Sequence, residues 1–168
     1  MTDGKKDILF VIGVSGTGKS TVGKLLAEKL NLAFFDGDDF HSESNVQKMA
    51  NKNPLTDEDR YDWLLTLNKL AVNNKETGAV IVCSALKESY RKLLESKIED
   101  KVIWISLEGS FELLLDRLQK RKGHFMPADL LRSQLDTFEA PTRAIKITIE
   151  PSPQEIVDTI LKEYSRTQ

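Results

Sequence analysis

The sequence predicts one α/β domain built on a parallel sheet, and three observations predict it. Short, nearly continuous apolar runs recur along the 168 residues, and longer segments of helical periodicity separate them. No repeat, low-complexity tract or Pro/Gly/Ser-rich linker divides the chain. At 40% hydrophobic and 30% charged, it can bury one core over its full span of 1–168.

The first run, ILFVIG (8–13), leads into GVSGTGKST and then into Val22, Leu25, Leu26 and Leu30 at helical spacing. The second, LAFF (32–35), is followed at once by DGDDFH (36–41). After Pro54, Thr56 is placed to cap a helix, with Asp59 three residues on and Trp63, Leu64, Leu67, Leu70 and Ala71 along one face. AVIVCS (79–84) and KVIWISL (101–107) are the third and fourth runs. Ser110 then precedes Phe111, Leu114, Leu115 and Leu118, and AIKITI (144–149) is the fifth run. Unbroken apolar runs of this length suit parallel strands covered on both faces. In such sheets ligands bind beyond the carboxyl ends of the strands.

Bulk properties exclude several functions. A net charge of −2 and a pI near 5.8 leave no basic footprint, so no nucleic-acid partner is expected. The single cysteine, Cys83, has no partner for an internal disulfide and reads as a small buried apolar residue. No apolar stretch suggests a signal peptide or a membrane span, which points to the cytoplasm and to no membrane partner.

The chemistry starts at the end of the first run. Gly13 to Ser20 match G-x-x-x-x-G-K-[ST] between an expected strand and an expected helix, the context the motif requires. Glycines at 13, 16 and 18 let Val14, Ser15, Thr17 and their neighbours turn backbone amides inward, and Thr21 follows on the first helical turn. Lys19 adds a positive charge for the β- and γ-phosphates of a nucleotide, and the Ser20 hydroxyl can ligate Mg²⁺. A GTPase would add N-K-x-D, but NKLA at 68–71 lacks the aspartate. Motor and transport ATPases carry an aspartate at the end of a later strand, whereas VCSAL and ISLEG supply none.

The acidic groups must therefore come from DGDDFH. If the second strand lies close to the first, Asp36 can hold metal-bound water and Asp38 can position an acceptor hydroxyl or take its proton. Alone, these residues read as solvated loop or cap carboxylates. The neighbouring cradle reverses that reading, while Asp39 is left as a possible cap for the next helix. RLQKRKGHFMP (117–127) ends a helix in Arg117, Lys120, Arg121 and Lys122. Such a cationic turn either complements the helix dipole or supplies a lid, spanning about 117–140, that brings arginines over the phosphates. In the lid reading Arg121 stabilises transferring charge and Arg117 stacks on adenine.

Together these stretches resemble a known family, the gluconokinases of the P-loop small-molecule kinases. The resemblance runs from about residue 8 to 160. It rests on GVSGTGKS, DGDDFH with Asn45 and the KM at 48–49, PLTDEDRYDWL (54–64), VCSALKESYR (82–91), RKGHFM (121–126) and SQLDTFEAP (133–141). It implies a P-loop NTPase with a nucleoside-monophosphate-kinase-like three-layer fold, a five-stranded parallel sheet and a lid, commonly as a homodimer. It implies Mg²⁺-dependent transfer from ATP to the 6-hydroxyl of D-gluconate, giving 6-phospho-D-gluconate. Carried over by residue, it makes Lys19, Asp38 and Arg121 catalytic and assigns the sugar acid to Asp38, His41, Asn45, Lys48 and Arg60.

Arg60 either clamps the substrate carboxylate or pairs with Asp57 or Asp59 on its own helix. Ser84 and Lys87, at the end of the third run, fall where substrate contacts are expected. His124 is a weaker lid candidate, and the loop at Pro151 and Ser152 is expected near adenine. Leu135 and Asp136 depart from the family pattern after Ser133 and Gln134, which bears on lid packing. The alternatives are a kinase for shikimate or another polyol acid, and a non-catalytic ATP sensor.

Overall fold

A computed structural model describes residues 6–121 and 127–167. Five parallel strands, β1 (Ile8–Ile12), β2 (Ala33–Asp36), β3 (Ala79–Val82), β4 (Val102–Glu108) and β5 (Ile145–Thr148), lie in the order β2-β3-β1-β4-β5. Each is one of the apolar runs, shifted by three residues or fewer at either end. The expected helices are present as α1 (Lys19–Leu30), α3 (Asp57–Asn73) and α5 (Phe111–Gln119). They are joined by α2 (Glu43–Ala50), α4 (Glu88–Glu95), α6 (Ala128–Thr137) and α7 (Pro153–Arg166).

Strand periodicity builds two cores, one on each face of the sheet. Leu9 and Val11 of β1 face one way, packing with Val22 and Leu26 of α1, Leu114 and Leu118 of α5, and Ile156 and Ile160 of α7. Ile8, Phe10 and Ile12 face the other way, against Trp63, Leu64 and Leu67 of α3 and Leu94 of α4. The result is the expected three-layer arrangement.

The caps follow local chemistry. Thr56 and Asp59 form a reciprocal capping box at the start of α3, and Ser110 Oγ accepts from Leu113 N–H at 3.2 Å at the start of α5. The cap of α2 corrects the reading of Asp39: Ser42 accepts from Asn45 N–H at 3.1 Å, and Asp39 lies earlier, in the 3₁₀ turn 37–40.

The second strand lies close to the first without pairing with it. β3 lies between them, with Val82 in register with both Val11 and Asp36. The reason is burial. All of β3 is buried and suits an interior position, whereas β2 begins exposed, is only partly buried thereafter and suits the edge. Crossing over one strand still leaves both tips on the same edge of the sheet. The crossover helix sits very close, since a Cβ at Gly23 of α1 would lie 2.4 Å from Val82 Cγ1 and 2.9 Å from the Phe34 ring.

Candidate active site

Where β1 stops, the chain turns through residues 13–18 into α1. Gly18 is the N-cap, with φ at +84°, a left-handed conformation that resists a side chain. Thr17 Oγ1 and Lys19 Nζ both donate to Val14 O, at 3.0 and 3.2 Å, which pins the loop from within. The open N–H groups at the start of α1, with Thr21 on its first turn, make this end of the sheet attractive to anions.

The acidic tip of β2 reaches this cradle across β3. Ser20 Oγ donates to Asp36 Oδ2 at 2.8 Å, while Asp36 Oδ1 accepts the Asp38 N–H at 3.0 Å. One carboxylate thus fixes both the hydroxyl of the phosphate motif and the turn that carries Asp38. Although Asp38 keeps an exposed edge, partial desolvation by the surrounding turn raises its pKa above the usual carboxylate value, and neighbouring Asp36 pushes the same way against the pull of Lys19. Burial likewise lowers Lys19, with the Asp38 and Asp36 carboxylates opposing that shift and Arg121 adding to it. Ser20 and Asp36 present oxygen donors only, a set that fits Mg²⁺. Among the described residues no group of three or more His, Cys, Asp or Glu side chains is placed to hold a metal.

Beyond Asp38, α2 and α3 arrange the remaining candidates. The His41 ring stacks on Trp63 at 4.2 Å, and Trp63 Nε1 donates to Gly37 O at 2.7 Å, which fastens the acidic turn to α3. Burial lowers the His41 pKa, opposed by Asp38. Asn45 is buried and donates to Asp59 O at 2.9 Å. Lys48 Nζ binds both Asp59 carboxylate oxygens, at 2.9 and 2.8 Å, and these bonds, first among the causes, hold the Asp59 pKa at about 2. Asn45 and Lys48 are therefore engaged in joining α2 to α3.

Arg60 differs from them. Its Nη1 donates to Leu55 O at 2.7 Å, and its guanidinium lies 5.7 Å from the centre of the Tyr90 ring. Among the described residues it forms no salt bridge. Asp59 is taken by Lys48, and Asp57 by Lys87 at 3.2 Å and by the Tyr90 hydroxyl. Ser84 is half-buried just past β3. It precedes Ala85, whose φ of +35° is held by Arg91 Nη1 donating to Ala85 O at 2.8 Å.

On the other side of the cradle, a cavity of about 240 Å³ is lined by Gly16, Gly18, Thr21, Arg117, Arg121 and Pro151, among others. Arg117 Nη2 donates to Ile149 O at 2.6 Å, so α5 is tied to the chain just after β5. Lys120 pairs with Asp116 on its own helix at 2.9 Å, while Lys122 and His124 lie outside the described residues.

Sequence reasoning missed the supporting groups. Trp63 was expected only as core, and Tyr90 only as part of a motif. Gln134 of α6 accepts the Ser15 N–H at 2.9 Å across 119 positions of sequence. No local pattern announces such a contact.

Comparison with known proteins adds independent information. The family model described as shikimate kinase matches residues 15–165. A probable gluconokinase of Mus musculus is 42% identical over 92% of this chain and 96% of its own length. The crystal structure of a gluconokinase from Sinorhizobium meliloti 1021 superposes with a TM-score of 0.90 at 37% identity, covering 97% of this chain and 94% of that one. A shikimate kinase from Aquifex aeolicus, at 23% identity and a TM-score of 0.68, shares the fold alone.

Proposed function

Because the chain belongs to the gluconokinase family, within the shikimate-kinase-like P-loop fold, we propose that it phosphorylates D-gluconate with ATP. The product is 6-phospho-D-gluconate, with ADP released. The match to the shikimate kinase model favours one second reading, shikimate as acceptor; 42% identity to a probable gluconokinase against 23% to a shikimate kinase argues for gluconate.

The observation that carries the mechanism is the 2.8 Å bond between Ser20 Oγ and Asp36 Oδ2, which joins the phosphate cradle to the acidic turn. Phosphoryl transfer asks a protein mainly for alignment and charge compensation. Residues Gly13 to Thr21 hold the triphosphate, except that the Ser15 N–H is already given to Gln134, and Lys19 compensates its outer charge. Asp38 accepts the proton of the acceptor hydroxyl, and its raised pKa suits a group that must gain a proton during transfer. Arg60, free of a salt bridge among the described residues, takes the gluconate carboxylate, while His41, Ser84 and Lys87 face the hydroxyls. Asn45 and Lys48 act on the substrate by holding α2 against α3. Arg117 and Arg121 line the nucleotide side, with Arg121 offsetting charge on the transferred group. Ser20 and Asp36 would hold Mg²⁺, which when bound would offset phosphate charge.

The protein is proposed to work in the cytoplasm as a homodimer. Among the described residues, no helix is long and apolar enough to cross a membrane. Incubation with Mg²⁺, ATP and a panel of D-gluconate, other sugar acids and shikimate, with ADP release followed, tests the substrate. Gluconate should give the highest kcat/KM; turnover of shikimate with none of gluconate would reverse the choice.

A further inference from the structure

The Gln134 contact is the least expected bond in the site, and nothing in the phosphate motif calls for it. Because Ser15 contributes a backbone N–H, the acceptor must be the carboxamide oxygen, which fixes the orientation of the amide group. The Nε2 donors then sit on the same planar group, beside the cradle, and among the described residues they make no hydrogen bond.

The position of Ser15 says what those donors face. The cavity on the nucleoside side is lined by Gly16, Thr17, Gly18 and Thr21, but not by Ser15. Ser15 sits nearer the end of β1, two residues past Gly13, on the side of the loop where Gln134 of α6 approaches, and a triphosphate entering from the cavity would bring its outermost phosphate toward that side. Three further hydrogen bonds, all at Glu139, keep Gln134 there. Just beyond α6, Glu139 N–H donates to Leu86 O at 2.8 Å and Glu139 Oε1 accepts from Glu88 N–H at 2.9 Å. Buried Arg91 also donates to Glu139 O, so the end of α6 is clamped to the loop after β3.

We propose that Gln134 is a γ-phosphate ligand, its carbonyl oxygen anchored on Ser15 N–H and its Nε2 donating to the transferring phosphoryl group. It distinguishes ATP from ADP at the cradle and orients the group for transfer. The inference rests on the kinase reading above, and its test separates the two.

Gln134→Met keeps the side-chain length and removes both polar functions; Gln134→Glu keeps the acceptor for Ser15 and removes the donor. Affinities for ADP and for a non-hydrolysable ATP analogue, measured by calorimetry with Mg²⁺, are compared with those of the unaltered protein, together with kcat and melting temperature. In both variants the analogue should weaken about tenfold or more, the scale of a hydrogen bond to a charged group, while ADP affinity changes less than about twofold. The kcat with gluconate should fall by a similar factor. Equal loss of ADP and analogue affinity, or a lowered melting temperature with both affinities intact, would reduce Gln134 to a structural tie and overturn the proposal. Failure of the unaltered protein to use gluconate would count against the substrate reading, and the ADP-versus-analogue comparison would still decide the role of Gln134.

Discussion

Asp38 carries a conflict between stability and function. Its pKa is raised first by burial and then by Asp36, so the native state holds its proton more tightly than the unfolded chain does. Its contribution to stability is therefore complete below the ordinary value of 3.8 and is lost as pH rises through the raised native value. At neutral pH the charged form is a burden. Because Asp38 is also exposed to solvent, water screens much of that burden, so Asp38→Asn should melt only slightly higher than the parent at pH 7, with the difference shrinking on acidification; calorimetry at two pH values checks this. Arg60 leads to a different expectation. With Asp57 and Asp59 committed to Lys87 and Lys48, its charge is available to a substrate carboxylate. Arg60→Ala should raise the KM for gluconate about tenfold or more with little change in the KM for ATP, measured by steady-state kinetics. At this scale the sequence was partly legible. The phosphate motif and DGDDFH identify themselves by residue type and spacing. The partners of Arg60, Lys48 and Asn45 depend on which carboxylate or carbonyl each one meets, and that follows only from the packing of α2 on α3.

Among the elements, the strands were legible because each is an apolar run bounded by polar residues, and α3 and α5 because Thr56 and Ser110 announce their caps. Helix α2 was not, since its short polar sequence carries Val46 and Met49 on an exposed surface rather than a clear apolar stripe. The order of strands was not legible in the sequence. Sequence neighbours β1 and β2 are separated by β3, because a strand buried along its whole length competes better for the interior. That arrangement makes the fit of α1 over β3 a critical contact. Gly23→Ala would set a methyl group 2.4 Å from Val82 Cγ1, and overpacking of this kind should cost about 1–3 kcal/mol in chemical denaturation. Activity should fall with it, because the same helix carries Lys19 and Ser20 at its start.

For the molecule as a whole, two cores on opposite faces of one sheet leave the carboxyl edge as the place where elements from both layers meet. α1, from the first layer, brings the cradle; α3, from the second, holds the acidic turn through Trp63 and Gly37. The fold class followed from periodicity, but the site depends on contacts between residues far apart in sequence, such as Ser20 with Asp36 and Ser15 with Gln134. Catalysis in this account needs the two layers to act on one triphosphate and one hydroxyl. The most direct test is Asp38→Asn, with ATP affinity from calorimetry and gluconate turnover from ADP release. The account predicts ATP binding within about twofold of the parent and turnover reduced at least about a hundredfold. Near-normal turnover with gluconate would contradict it.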